Sequence, residues 1–273
     1  MDLRVPRIAF RFLGIARIVD SLKTFYQKGV IMKKRVIVFS MITFLLTFPS
    51  ARAIHIQGVE DAGTVPIKEI EMELGGHYER WQREESQTTV QLVFTCGLQK
   101  RLNGILEIPY LRLRQKESKN AGFGDLSIGM KYRFSKEGKL TPAIAVKALG
   151  TLPVGDESRD LGAGEVGYGF TAVASKTWGK PETHLNLGFG KDISSYGLSL
   201  WYPQDRFTFI AELTGECSSW FEDLPGSWGL LFGTVYEVTS SVLVDLGINW
   251  RLRGEIPKHT FFLGCTFTVG NQK

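Results

Sequence analysis

The sequence lacks several features that would assign it to a common class of protein. It has no set of apolar runs of about 20 residues, which excludes a helical protein that crosses a membrane several times. Its three cysteines, at positions 96, 217 and 265, form no C-x-x-C motif, so they predict neither a disulfide framework nor a zinc ribbon. The 30 glycines follow no triplet period, which excludes collagen, and 12% aromatic residues exclude bulk disorder.

The formal net charge of +5 comes from the N-terminal part of the chain. Residues 1–53 contain ten Lys and Arg against two acidic residues, whereas the remainder contains 23 Lys and Arg against 26 Asp and Glu. The remainder is therefore mildly acidic. We predict no nucleic-acid partner for it, because such a surface depends on a net positive charge.

The same N-terminal part contains the pattern of a secretory signal peptide. A basic stretch, Met32-Lys33-Lys34-Arg35, precedes an apolar run over residues 36–49 that is too short to span a membrane. The small residues Ala51 and Ala53 then predict cleavage after Ala53. We interpret residues 1–31 as an over-extended start or a dispensable extension, 32–53 as the signal peptide and 54–273 as the working domain. A buried core helix over 36–49 is one alternative, and an Arg-rich transit peptide over the first residues is another.

After residue 53, apolar and polar residues alternate. In the first segment Ile70, Met72 and Leu74 alternate with the glutamates at 69, 71 and 73, a period of two that predicts a strand with one apolar face. Residues 103–114 fit least well, since the alternation slips after Pro109, which suggests a bulge. Twelve segments share the pattern: 68–81, 86–98, 103–114, 124–134, 140–152, 164–178, 182–190, 195–203, 206–216, 227–237, 240–252 and 258–269.

Connector lengths and aromatic residues favour a membrane barrel over a soluble β-sandwich in the periplasm, which is the alternative. Short connectors such as 204–205 alternate with long ones such as 115–123, 153–163 and 217–226, as in outer-membrane barrels. Aromatic residues on the apolar faces fall near both segment ends, where they would lie at the two membrane interfaces. These residues are Tyr132, Phe134, Trp178, Tyr202 and Tyr236 at one end, and Tyr78, Tyr168, Tyr196, Trp228 and Trp250 at the other. We therefore predict an all-β fold, a 12-stranded antiparallel transmembrane β-barrel of the outer-membrane type.

Charged residues on the polar faces are the candidate lining of the lumen. Acidic residues come from the first strand and from strands near its closure, and basic residues come from the fourth and fifth strands. We hypothesise a narrow aqueous lumen with an acidic wall facing a basic wall, which would select solutes by charge; the alternative is a salt-bridged plug that closes the barrel. The predicted lining residues are Glu71, Glu73, His77, Glu79, Asp125, Lys131, Arg133, Lys147, Glu212, Asp245 and Arg251.

Motifs for catalysis or cofactors are weak in this sequence. There is no G-x-S-x-G motif, no histidine clearly shares a face and height with a serine, and no histidine has metal-ligand spacing. Gly162-Ala-Gly164-Glu-Val-Gly167 matches G-x-G-x-x-G, but we expect a strand after it where a dinucleotide site needs a helix. We predict a protein that is not an enzyme and has no cofactor or metal; a barrel hydrolase is the alternative class.

Three stretches resemble a known family. They are Gly122-Phe-Gly124-Asp125-Leu-Ser-Ile-Gly129-Met-Lys131-Tyr132-Arg133-Phe134, then Pro142-Ala-Ile-Ala-Val-Lys147, then Leu152-Pro153-Val-Gly155-Asp156. They resemble the outer-membrane proteins named for the meta-pathway of phenol degradation. The resemblance implies a barrel in the bacterial outer membrane that takes up or exports small solutes, aromatic or hydrophobic ones among them. It also implies the lipid bilayer and the outer-membrane assembly machinery as partners. Such barrels usually finish on an aromatic residue that this machinery reads, whereas here six residues follow Phe267. Gly167 departs from the family pattern.

Overall fold

The computed structural model describes residues 58–82, 85–115, 118–191, 193–217 and 226–270. The predicted signal peptide and its cleavage residues Ala51 and Ala53 lie outside this part of the chain. The strands are β1 (Ile70–Gln82), β2 (Glu85–Gln99), β3 (Leu102–Arg114), β4 (Lys119–Phe123), β5 (Leu126–Ser135), β6 (Ala143–Leu152), β7 (Gly167–Thr177), β8 (Glu182–Gly190), β9 (Ser194–Gln204), β10 (Phe207–Cys217), β11 (Ser227–Thr239), β12 (Val242–Arg253) and β13 (His259–Val269).

The strands close into one antiparallel barrel. Consecutive strands pair along the chain except that β5 pairs with β3 and not with β4, and β1 pairs with both β2 and β13, so the sheet has no free end there. Strands β4 and β5 both lie along β3, β4 beside its second half and β5 beside its first half. They count as one barrel strand, which gives the predicted 12-stranded barrel. Closure pairs the backbone groups that an open sheet edge would leave without partners in a membrane.

The two faces of each strand have opposite surroundings. On β1, Ile70, Leu74 and Tyr78 are 37–44% exposed, whereas Glu71 between them is 7% exposed. A soluble protein does not expose a continuous apolar surface of this kind, so the outer face is the one that lipid covers. Among the described residues, no helix is long and apolar enough to cross a membrane.

The two ends of the barrel differ in their connections. At one end, which we call the short-turn end, two residues suffice between β2 and β3 and between β9 and β10, where Asp205 adopts a positive φ of 53°. At the other end, the long-loop end, residues 153–166 link β6 to β7 and include a 3-10 helix, Glu157–Arg159. In outer-membrane barrels the short turns face the periplasm and the long loops face outward.

The irregularity expected in residues 103–114 lies in the neighbouring strand. Tyr110 pairs with Phe123, but Leu106 pairs with Ile128, so β4 and β5 contain one residue more than the β3 stretch beside them. The extra residue is a bulge at Gly124 and Asp125, opposite Pro109. Strand β3 itself keeps its alternation. The prediction that residues 115–123 form a loop was wrong for 119–123, which are β4.

A candidate solute pathway inside the barrel

Residues 58–66, which we call the inner segment, precede β1 and cross the barrel interior. Three backbone N–H groups of this segment donate hydrogen bonds to side chains on three strands: Gly58 to Glu212 on β10 (2.9 Å), Glu60 to Asn186 on β8 (2.7 Å) and Ala62 to Ser175 on β7 (2.8 Å). Its other end reaches β2, where Ile67 and Gly97 form a parallel bridge. A segment that contacts both β10 and β2 lies across the lumen.

The inner segment neutralises two lysines on adjacent strands. Lys131 on β5 and Lys147 on β6 are directly paired, and like charges at such positions repel. Glu60 bridges them, with its carboxylate oxygens 3.1 Å from the Lys131 Nζ and 2.6 Å from the Lys147 Nζ. Asp61 lies 3.5 Å from Lys131, and Glu107 on β3 lies 3.2 Å from Lys147. Burial raises the pKa of Glu60, but the two ammonium groups outweigh it and hold that pKa well below its usual value.

The acidic residues expected to face these lysines across water are mostly buried. Glu212 is 1% exposed, and its two oxygens accept hydrogen bonds from the Gly58 N–H (2.9 Å) and the Ser199 hydroxyl (3.1 Å). Asp245 on β12 is 1% exposed and Glu71 is 7% exposed. Glu73 is half-buried and lies on the same face of β1 as Glu71. The interior at this level is therefore packed with polar groups.

Four other predicted lining residues lie toward the two ends of the barrel. Glu79 on β1 lies toward the long-loop end, and its Oε1 is 3.7 Å from the Nε2 of His77. Arg251 is exposed at that end and donates to the carbonyl of Ile256 (3.0 Å), so it supports the loop after β12. Arg133 lies near the short-turn end. These four residues therefore lie away from Lys131 and Lys147, the two lysines that the inner segment contacts.

Asp125 holds a loop. Its two carboxylate oxygens accept hydrogen bonds from the N–H of Gly155 (2.9 Å) and of Ala163 (2.7 Å), both in the long loop between β6 and β7. A Cβ on Gly162 would collide with this carboxylate, which explains the glycine there. The G-x-G-x-x-G match therefore belongs to a loop that binds Asp125, and strand β7 follows it from Gly167.

A serine and a histidine do meet inside the barrel, contrary to our reading of the sequence. The Nδ1 of His184 lies 2.8 Å from the hydroxyl of Ser175, since the two residues are paired across β7 and β8. His184 is 2% exposed and packs against the ring of Trp201. The Ser175 hydroxyl also accepts the Ala62 N–H, so the inner segment covers it.

Sequence reasoning missed the inner segment altogether. Glu60 and Asp61 lie before the first alternating stretch, and nothing in the period-two pattern assigns them a partner. The available signal was their setting, an acidic pair between the small residues Gly58, Ala62 and Gly63. Such a stretch fits into a narrow interior because it has little side-chain volume.

Comparison with known proteins supports this architecture. The family model described as "Putative MetA-pathway of phenol degradation" matches residues 60–194. The chain is similar to this family over that stretch, which is just under half of its 273 residues. The matched residues begin at Glu60 and include Lys131 and Lys147, the two lysines that Glu60 contacts. They also include Asp125, which binds the loop between β6 and β7. No curated protein sequence matches the chain significantly.

The fold of the chain is similar to that of solved outer-membrane channels and porins. An outer-membrane channel from Pseudomonas putida F1 matches with a TM-score of 0.61 at 14% identity, over 80% of this chain and 100% of that chain. The NanC porin matches with a TM-score of 0.53 at 10% identity, over 72% of this chain and 100% of that one. The KdgM porin gives 0.50 at 7% identity, over 72% and 98%. The described residues thus form an antiparallel β-barrel with the fold of these outer-membrane channels.

Proposed function

We propose that the protein is a non-enzymatic outer-membrane channel for small solutes, and that its inner segment narrows the lumen. The observation that carries this proposal is the set of polar contacts between segment and wall, beside which only small apolar side chains such as Val59 and Ala62 are buried. Gly58, Glu60 and Ala62 are held by hydrogen bonds and ion pairs. Water can replace such contacts, whereas an apolar plug would have to expose its core. The segment can therefore shift while the barrel stays folded.

We propose small solutes with an apolar or aromatic part as the class that passes. The inner face of β3 is apolar near the long-loop end, where Pro109, Leu111 and Leu113 point inward. Leu161 from the long loop lies against the same region and is 2% exposed. A solute entering from that end meets this apolar surface before it reaches the charged level of Glu60. The family's description, which names phenol degradation, is consistent with an aromatic solute.

A closed barrel with a structural or binding role is the second candidate. The observation that favours it is the packing at the level of the inner segment, where several polar side chains are fully buried. Their exposed fractions are 1% or less, and they are Asn103, Ser199, Glu212, Asp245 and Thr266. If this packing never opens, the barrel conducts nothing.

Recording in planar bilayers separates the two candidates. The comparison is between the wild-type protein and a variant in which residues 58–66 are replaced by a Gly/Ser stretch of equal length. A channel gives small conductance steps in the wild type and steps several-fold larger in the variant. Absence of steps in both proteins would support the closed barrel and overturn our proposal.

Solute class and the enzyme alternative need two further assays. Proteoliposomes should swell faster in a hydroxylated aromatic solute than in a sugar of similar mass, and equal rates would contradict the proposed class. The refolded protein should hydrolyse neither phospholipids nor peptides. Hydrolysis that disappears in a His184→Ala variant would instead establish an enzyme that uses the Ser175–His184 pair.

A further inference from the structure

Four cationic side chains form a cluster on the outer surface, at the long-loop end of β1, β3 and β4. Residues directly opposite each other in a sheet share a face. Arg80 pairs with Ser86, Ser86 with Arg114, and Arg114 with Lys119, so these four residues form one row across β1 to β4. Arg112 lies one row lower, opposite Ala121. We call Arg80, Arg112, Arg114 and Lys119 the basic corner; all four are exposed.

The basic corner lies at the height of lipid headgroups. The next row toward the membrane centre contains Tyr110 and Phe123, whose rings pack edge to face with centroids 5.4 Å apart. Both rings point outward and are 37% and 57% exposed. Outward aromatic residues mark the membrane interface of a barrel. Two residues along a strand span about 7 Å, so the Arg112 side chain begins just beyond that interface.

The basic corner has no carboxylate partners among the described residues. By contrast, Lys131, Lys147, Lys176 and Lys191 each lie within 3.5 Å of a carboxylate. Neighbouring strands are about 4.8 Å apart, so Arg114 and Lys119 are close enough to repel each other. The long loop adds a fifth cation, since Arg159 donates to the carbonyl of Ala121 on β4 (3.1 Å). An anion from outside the chain would relieve this repulsion.

The inner face at the same height is apolar. Leu111 and Leu113 point into the barrel, while Arg112 and Arg114 between and beyond them point outward. This order is the reverse of that over residues 70–79 of β1, where charge faces inward and apolar residues face lipid. Water alone would accept either sign of charge on the outward face, but every charged residue in the rows of Arg112 and Arg114 is positive. The arrangement therefore matches an anionic layer outside the barrel.

We propose that the basic corner binds the phosphate groups of a phosphorylated glycolipid in the outer leaflet. Arg112 and Arg114 can each present two parallel N–H groups to a phosphate, and Lys119 and Arg80 supply point charges on either side. The acyl chains then lie on the apolar outer surface below, where Val90 is 44% and Ile128 is 47% exposed. The proposal rests on the barrel's place in the outer membrane and is independent of whether the barrel conducts.

Lipid binding by the full chain, purified in a non-ionic detergent, tests the proposal. The probes are bisphosphorylated lipid A, the same lipid without phosphates, and inorganic phosphate, with native mass spectrometry as the readout. The test variant is Arg112→Gln/Arg114→Gln/Lys119→Gln. The matched control removes three exposed cations at the short-turn end, Lys100→Gln/Lys136→Gln/Lys139→Gln.

We expect the wild type and the control to bind the phosphorylated lipid equally and the test variant to bind it about tenfold more weakly. An Arg112→Lys/Arg114→Lys variant, which keeps the charge, should lose less affinity for the phosphorylated lipid than the test variant does. Its remaining binding would show that substitution at these positions leaves the barrel folded. Equal binding of lipid without phosphates would contradict the proposal, as would an unchanged affinity in the test variant. Binding of inorganic phosphate as tight as that of the lipid would identify a free-phosphate site and overturn it too.

Discussion

Two walls of the barrel interior contain opposite charges, and each is satisfied in a different way. On β5 and β6 the ammonium groups of Lys131 and Lys147 contact carboxylates, chiefly that of Glu60 in the inner segment. On β10 the Glu212 carboxylate accepts a backbone N–H from the same segment and a hydroxyl hydrogen from Ser199. One segment thus supplies side-chain anions to the first wall and a backbone donor to the second. Three of the charged residues predicted to line a pore, Lys131, Lys147 and Glu212, contact the inner segment in the folded barrel.

Removing the carboxylate of Glu60, which contacts the first wall, should have the largest effect on the single-channel conductance. In Glu60→Gln, Lys131 and Lys147 lose their shared counter-charge and repel each other. Breaking a buried ion pair costs about 3 kcal/mol, toward the lower end of the usual range here because Glu60 keeps some exposure. We expect the segment to leave the wall and the single-channel conductance to rise several-fold.

The matched control is an ion pair at the surface of the protein. Glu165 lies 2.5 Å from Lys191, and the two side chains are 60% and 39% exposed. Exposed pairs of this kind contribute little. Glu165→Gln should leave the conductance of the wild type unchanged; an equal rise in both variants would show that the effect of Glu60→Gln is not specific to the inner segment.

A substitution on the second wall tests the segment without changing any charge. A Cβ on Gly197 would lie 2.5 Å from the Cγ2 of Val59, which is fully buried. Gly197→Val should therefore push the segment off β9 at a cost of about 2 kcal/mol. We expect a higher conductance than in the wild type but a lower one than in Glu60→Gln. An unchanged conductance would mean that Val59 does not hold the segment.

The long loop is fixed by polar contacts that do not involve the inner segment. Asp125→Asn loses one acceptor for the two loop N–H groups of Gly155 and Ala163. The expected cost is about 1–2 kcal/mol, the range for a partly buried hydrogen bond to a charged group. Limited proteolysis should cut residues 153–166 faster, with no change in conductance steps. A rise in conductance like that expected for Glu60→Gln would contradict our conclusion that the long loop and the inner segment are held independently of each other.

The smallest effect is expected for a substitution at the short-turn end, Glu137→Gln, and it concerns the stability of the fold. Glu137 accepts hydrogen bonds from Lys176 (2.7 Å) and from the N–H and hydroxyl of Thr177 (3.0 and 2.9 Å), and these contacts lower its pKa to about 2. A lowered pKa stabilises the fold above the ordinary value of 4.5, and this stabilisation is lost as the pH falls toward 2. Glu137→Gln should lower the unfolding temperature slightly at pH 7 and by less at pH 3. An equal loss at both pH values would rule out this ionic cause.

The sequence was sufficient for the barrel wall because each strand's pattern is local. Alternation of Ile70, Met72 and Leu74 with glutamates places one face against lipid whatever the other strands do. Among the described strands, β4 was missed, since it is short and is separated from β5 by a bulge at Gly124 and Asp125 that resets the alternation. Bulges depend on the pairing with β3, which single-strand periodicity does not contain.

The interior was harder to predict because its partners come from distant parts of the chain. The contact of Glu60 with Lys147 joins residues 87 positions apart, and that of Gly58 with Glu212 joins residues 154 positions apart. No spacing rule links such pairs. The acidic and basic residues were identified, but the segment between them was not, because it has neither periodicity nor a motif.

Disulfide formation inside the folded barrel tests most directly whether the inner segment lies against strand β7. In a chain with Cys96, Cys217 and Cys265 replaced by serine, Ala62→Cys would be combined with Ser175→Cys on β7 or with Thr266→Cys on β13. The Ser175 hydroxyl lies 2.8 Å from the Ala62 nitrogen, whereas β13 is on the opposite side of the barrel. Our account predicts rapid crosslinking of 62 to 175 and none of 62 to 266; equal yields, or no crosslink to 175, would contradict it.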